Sequence, residues 1–266
     1  MQLFQTELRL DNMFVDVHAH LCDGKYGGEI DSLVTAYEGA GVGIVINSGY
    51  DISSSEKVME QSQRFDSMYF SAGVHPDEAK ALDNRAIERL TAILKAKKCV
   101  ALGEIGFDFY WNKSTEEEQI FAFERQMELA DHLGLPFVVH SRDASAKTAA
   151  FLKDRKSLIK RGFLMHCYSE SAEMAKVYQD LGGYFSFGGV ITFKNAKKDD
   201  IIKSISPERL LTETDCPYLT PHPFRGQIND SSKVVYVTQK IAEVLNLELC
   251  EAENLIRENT RRLFGI

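Results

Sequence analysis

Eight short apolar runs, each followed by a polar turn and an amphipathic stretch, constrain this chain more than any other feature of its sequence. They are Met13–Val17, Gly43–Asn47, Met68–Ala72, Cys99–Gly103, Pro136–Val139, Gly162–Met165, Gly183–Phe187 and Arg209–Thr212. Their starts fall about 20 to 40 residues apart, the size of one strand–helix unit. Continuous apolarity suits strands covered on both faces, as parallel strands are. Local helix signals lie between the runs. Thr115-Glu-Glu-Glu118 reads as a capping box, with Ile120, Phe123, Met127 and Ala130 at helical spacing and Gly134 as the stop. Ser53-Ser-Ser-Glu56 reads the same way ahead of Val58 and Met59. Two more helices, Ser231–Leu245 and Glu248–Leu263, follow the eighth run. The alternation predicts an α/β fold over residues 13–266, a single-domain (β/α)8 TIM barrel with an extra C-terminal helix. An open doubly wound sheet is the rival, because closure leaves no mark in a sequence.

Composition narrows the function classes. A chain of 266 residues buries roughly 70–75% of its unfolded surface and needs no disulfides. Lys and Arg number 31 against 39 Asp and Glu, a net charge of −8, which excludes non-specific coating of duplex DNA or of an anionic membrane. A nuclease with a small cationic mouth stays open, since bound divalent ions bring their own charge. Five cysteines without a CxxC pair read as reduced thiols. Met1–Asn12 carries Glu7 and Arg9 and no apolar signal-peptide core, and no run approaches a membrane span. The expectation is a soluble cytoplasmic protein with no membrane contact and no obligate protein partner.

In such a barrel the chemistry sits at the C-terminal ends of the strands. His18-Ala-His20 follows the first run, His75 the third, Glu104 the fourth, His140 the fifth, His166 the sixth, and Glu213-Thr-Asp215 the eighth. His18 and His20 leave one face of a strand together. Alone, an HxH pair is as readily two polar residues on a half-buried strand. Together with Glu104, His140, His166 and Asp215 it makes four imidazoles and two carboxylates aimed at one cavity, where burial without metal would cost several kcal/mol each. Six ligands exceed the need of one tetrahedral ion, and Glu104 can bridge two. The expected cofactor is therefore a pair of divalent ions roughly 3.5–4 Å apart with a bridging hydroxide as nucleophile. His18, His20 and Asp215 would serve one ion, His140 and His166 the other. Zn, Mn, Fe, Ni or Mg all stay open, with imidazole favouring the softer ions.

These residues carry a resemblance. Phe14-Val-Asp-Val-His-Ala-His-Leu21, Ala72-Gly-Val-His-Pro76, Gly103-Glu-Ile-Gly-Phe-Asp108, Pro136-Phe-Val-Val-His-Ser-Arg-Asp-Ala144, His166-Cys-Tyr-Ser169 and Glu213-Thr-Asp-Cys-Pro217 resemble the motifs of the TatD family of metal-dependent deoxyribonucleases. Phe187-Gly-Gly-Val-Ile-Thr-Phe-Lys-Asn195 and Pro223-Phe-Arg-Gly226 resemble two further blocks. The resemblance runs from about Phe14 to the C-terminus. It implies a TIM barrel, two divalent ions, hydrolysis of DNA phosphodiesters, and the same six ligands. Residues 1–12 then stand as an extension, or as an ordered segment under the barrel. Two departures bear on substrate: Ile228 stands where the family usually has Arg, and Glu170 where it usually has Gly. The first removes a structural or phosphate contact. The second sets an acid near the mouth unless it points outward.

Around the ligands, each residue has a functional and a bland reading. His75 contacts the scissile phosphate or orients the nucleophile, or caps a turn beside Pro76. Arg225 suits bidentate phosphate binding; Lys194, with Lys197 and Lys198, adds charge or simply begins a solvated helix. Arg142 is a substrate or structural contact, and Asp143 a helix N-cap. Asp108 orients a ligand or caps a turn. Among Phe107, Phe109, Tyr110 and Trp111, one or two stack an exposed base, or all pack in the core. Cys167 and Cys216, next to ligands on alternating strands, point into the barrel wall.

The reading that follows is a TatD-type hydrolase cleaving DNA ends or short single strands, with Asp215, Glu104 and His75 catalytic and Arg225, Arg142 and Lys194 holding substrate. Its rivals are hydrolysis of a carbon ester or amide, including an aminoacyl-tRNA ester, on the same site, and a metal-binding scaffold with a vestigial site.

Overall fold

The structure, a computed structural model, describes residues 13–266; the expectation for residues 1–12 lies outside them. Each apolar run forms a strand: β1 Phe14–Ala19, β2 Val42–Ser48, β3 Met68–Ala72, β4 Cys99–Asp108, β5 Phe137–Arg142, β6 Phe163–Met165, β7 Gly183–Phe187 and β8 Leu210–Thr212. Each is followed by a helix: α1 Ile30–Gly39, α2 Ile52–Ser62, α3 Asn84–Leu94, α4 Glu116–Leu133, α5 Ser145–Asp154, α6 Ala172–Asp180, α7 Asp199–Ser204 and α8 Val234–Leu245. The extra C-terminal helix is α9, Leu249–Phe264.

All strand pairs are parallel and neighbours in space are neighbours in sequence, β1 through β8. A doubly wound sheet needs a reversal in that order, so the open-sheet rival falls. Closure is nearly complete. Thr212 Oγ1 donates to the Val15 carbonyl at 2.8 Å, and beyond β8 the Asp215 amide donates to the His18 carbonyl at 3.0 Å. Phe70, Phe107, Phe137, Phe163, Phe185 and Phe187, from strands around the barrel, are buried almost completely, as continuous apolar runs require.

Helix starts are mostly as the sequence predicts. Thr115 and Glu118 exchange their capping-box hydrogen bonds and Gly134 ends α4 in the left-handed region. At α2 the box lies two residues earlier than expected: Asp51 caps the helix and Ser54 reciprocates. A short 3₁₀ turn over Ser231–Lys233 precedes α8. Asp143 is not an N-cap; it has φ 53°, and α5 begins at Ser145 with no side-chain cap from Ala144. Glu170 supplies carboxylate there instead, accepting from Ser141 Oγ at 2.7 Å and Ser145 Oγ at 2.5 Å. The acid that departs from the family pattern is thus tied to the start of α5, where the helix dipole favours it.

β4 extends to Asp108, five residues past the end of its apolar run, and nine of its ten residues are buried. Its buried Glu104 interrupts apolarity without ending the strand, and buried Asp108 closes it. That extension raises both carboxylates to the mouth.

Candidate metal centre

Glu104 stands at the centre of the mouth with its two oxygens divided between two histidine clusters. Oε1 lies 3.2 Å from His18 Nε2 and 3.7 Å from His20 Nε2. Oε2 lies 3.2 Å from His166 Nε2 and 3.4 Å from His140 Nδ1. Asp215 joins the first cluster, with Oδ1 3.4 Å from His20 Nε2 and 3.9 Å from His18 Nε2. Asp215 has φ 52°, a left-handed turn beyond β8 that is uncommon for a residue with a side chain.

Neighbours fix which ring nitrogen faces inward. His20 Nδ1 lies 2.9 Å from the Ser48 carbonyl, so it carries the proton and Nε2 presents a lone pair. His18 Nδ1 is held by Ser48 Oγ at 3.2 Å. His140 Nε2 meets Asp108 Oδ2 at 3.0 Å, which leaves Nδ1 inward. His166 Nδ1 points toward Glu213 Oε1 at 3.7 Å, and neither atom has a hydrogen-bond partner among the described residues. The inward nitrogens crowd: His18 Nε2 and His20 Nε2 are 3.2 Å apart, as are His140 Nδ1 and His166 Nε2. At that distance each pair of nitrogens must share either a proton or a metal cation. The donor set therefore fits divalent metal, with His18, His20, Glu104 and Asp215 able to hold one ion and Glu104, His140 and His166 a second. Among the described residues, ligand atoms of His18, His20 and Glu104, of His18, His166 and Asp215, and of His75, Glu104 and His140 each lie within 4.8 Å of one another.

His75 differs from the other imidazoles. Its Nδ1 accepts the Asp77 amide at 3.1 Å, so the neutral ring carries its proton on Nε2, 3.7 Å from Glu104 Oε2. Burial and then the charge of His140 push its pKa down to about 3, which keeps the ring neutral. It presents an N–H donor to the cavity where the others present lone pairs, and it also caps the turn.

The carboxylates are held ionised. Burial alone would push Glu104 up, but the charges of His166 and His18 and hydrogen bonds from His140 and His166 hold it well below the usual range. Asp215 is likewise raised by burial and lowered further by the His20 hydrogen bond and the His20 charge. Asp108 follows the same pattern through His140. Its Oδ1 accepts the Tyr110 and Trp111 amides at 2.9 and 2.8 Å, so it both caps the turn and holds a ligand.

The cavity over this cluster has a volume of about 290 Å³, and Asp23, Asp77, Glu78, Lys113 and Arg142 stand on its rim. Arg142 lies beside Tyr110 and Trp111, which are exposed, whereas Phe107 is buried and Phe109 packs on the core. The structure does not bring Arg225 or Lys194 to this cavity. Arg225 lies 5.2 Å over the Phe193 ring, and Lys194 lines a separate hollow with Asp199, Asp200 and Lys240. Ile228 is exposed, and its loop is held instead by buried Asn229, whose Nδ2 donates to the Thr214 and Tyr218 carbonyls at 3.0 and 2.6 Å. Cys216 points into the wall as expected. Cys167 does not: its φ of 47° breaks strand alternation after His166, and it lines the site.

Glu213, Ser48 and Ser186 are functional neighbours that sequence reasoning left without a role. Glu213 is completely buried and accepts from Ser186 Oγ at 2.5 Å. Its place two residues before Asp215 is the one sequence signal available.

Comparison with known proteins gives the family. Residues 15–265 match the family model described as TatD related DNase. An uncharacterized metal-dependent hydrolase of Bacillus subtilis (strain 168), YabD, is 37% identical over 96% of this chain and 100% of its own length. A second, TatD of Mycobacterium tuberculosis, is 31% identical over 95% and 98%. The crystal structure of the TatD homologue YJJV of Escherichia coli superposes with a TM-score of 0.89 at 28% identity, covering 95% of this chain and 98% of that one. The chain belongs to the TatD-related family of metal-dependent hydrolases.

Proposed function

We propose that this family member hydrolyses phosphodiester bonds of DNA, at an end or within a short single strand, with two divalent ions that Glu104 would hold together with Asp215 and the flanking histidines. The observation that carries the two-ion reading is the division of Glu104 Oε1 and Oε2 between the two histidine clusters. The family description, a DNase, supports the substrate. Ions held there would supply Lewis acidity toward phosphoryl oxygens and lower the pKa of a water.

The chain's own groups do the rest. Asp215, ionised and at the edge of the cluster, accepts the proton of the attacking water as its oxygen bonds to phosphorus. The bond from phosphorus to the leaving oxygen breaks, and that oxygen takes up a proton from solvent. His75 donates its Nε2–H to a phosphoryl oxygen, where charge grows in the transition state. Arg142 at the rim positions a neighbouring phosphate. Net charge and the rim acids favour a grip of a few nucleotides over a long duplex track.

Those same acids, Asp23, Asp77 and Glu78, favour a second reading, a less anionic carbon ester or amide. One assay separates the two. End-labelled single-stranded DNA is incubated with the purified protein in Mg and in Mn, beside a panel of carboxylic esters and amides. A product ladder from DNA is the expected result; intact DNA with turnover of an ester or amide replaces the proposal with its rival.

A further inference from the structure

Two exposed aromatic rings line the cavity from segments that follow opposite strands of the barrel. Trp111 lies in the turn after β4 and Tyr218 in the segment after β8. In a barrel whose strands follow sequence order, those strands are four apart, the greatest separation possible. Both rings line the space around His140, His166 and Asp215. Trp111 is 56% and Tyr218 44% exposed, so core packing does not account for either.

Both are nevertheless tethered. Asp108 Oδ1 accepts the Trp111 amide at 2.8 Å, and Tyr110 meets the indole edge-on at 4.9 Å. The Tyr218 hydroxyl donates to Asp23 Oδ2 at 2.9 Å. Each side also carries a cation: the Arg142 guanidinium lies 4.0 Å from the Tyr110 centroid and 5.4 Å from that of Trp111, and Lys25 Nζ 3.9 Å from that of Tyr218. Exposed π-faces with cations beside them are what unpaired bases and their phosphates bind.

We infer that Trp111 and Tyr218 are the two stacking walls that receive the unpaired nucleobases on either side of the scissile phosphodiester. The inference rests on the phosphodiesterase reading above and narrows it: the substrate is a single strand with a base on each side of the cut. Bases within a duplex stay stacked on one another and reach neither ring without leaving the helix. The rim acids oppose the second strand's phosphates.

Trp111 is the sole tryptophan of the chain, so its fluorescence reports on the wall directly. The metal-loaded protein is titrated with a non-hydrolysable phosphorothioate single strand of four nucleotides, and with the same backbone bearing abasic sugars. A saturable fluorescence change with the base-bearing strand is expected, with binding of the abasic strand weaker by about 5- to 100-fold. On cleavable single-stranded DNA, Trp111→Ala and Tyr218→Ala should each raise KM by a similar factor and leave kcat within about twofold, as lost uniform binding does. Trp111→Phe and Tyr218→Phe should restore KM. Equal affinity for the two strands, or an unchanged KM in both alanine variants while the wild type cleaves DNA, overturns the inference and leaves the phosphodiesterase reading standing. A wild type that cleaves no DNA overturns that reading, and the inference with it.

Discussion

Asp108 Oδ2 lies 3.0 Å from His140 Nε2, on the side of the ring away from Glu104. That contact decides which nitrogen of His140 is free to bind metal. A carboxylate behind an imidazole ligand also raises its basicity. Asp108→Ala should therefore weaken metal binding by about 10- to 100-fold. Competition with a chromophoric chelator measures it; unchanged affinity would mean that His140 is oriented by something else.

His75 should matter to rate and not to metal. Its inward atom is a donor, held so by the Asp77 amide on Nδ1. Loss of one transition-state donor typically costs about 100-fold or more in kcat. His75→Ala should show a loss of that size with metal content unchanged. A loss of no more than about twofold would leave His75 only its turn cap.

Gly106 is required by β5. It has φ +143°, and a Cβ there would stand 2.0 Å from the His140 carbonyl oxygen. Gly106→Ala must push β5 away from β4, at a cost of about 1–3 kcal/mol or more, and move His140 with it. Urea unfolding of the variant should show the destabilisation, and chelator competition a weakened metal site. A variant as stable as the wild type would contradict the close approach.

Metal removal should make stability depend on pH through His20. Burial opposes its charge, but the Asp215 hydrogen bond and the Glu104 charge raise its pKa to about 9. A folded pKa above the unfolded one means stabilisation that is whole below about 6.5 and is lost as pH rises through about 9. Asp16, pushed up by burial to about 7, acts in the same direction at lower pH. The Tm of the metal-stripped protein should fall between pH 6.5 and 9, and Asp215→Asn should flatten that fall. A Tm that rises over this range would contradict the assignment.

The strands and six inward residues are legible in the sequence because burial on both faces demands unbroken apolarity, and a polar side chain at such a strand's end stands out. What fails to show is what depends on neighbours distant in the chain. The Ser48 carbonyl that orients His20 is a backbone atom and leaves no signature. Glu104 looks like the end of a strand and lies inside one that runs on to Asp108, because buried charge mimics a turn. Arg225 and Lys194 have the right chemistry on loops seven and eight, but where a loop turns its side chains is set by packing, here against Phe193 for Arg225. Cys167 departs from alternation because a single left-handed residue reverses the face.

The bridging role of Glu104 is the central claim, and metal stoichiometry tests it most directly. Elemental analysis of protein equilibrated with Mn or Zn should find about two ions per chain in the wild type. In Glu104→Ala it should find about one or fewer, with no cleavage of single-stranded DNA. A wild type that saturates at one ion, or a Glu104→Ala protein that still holds two, would contradict the account.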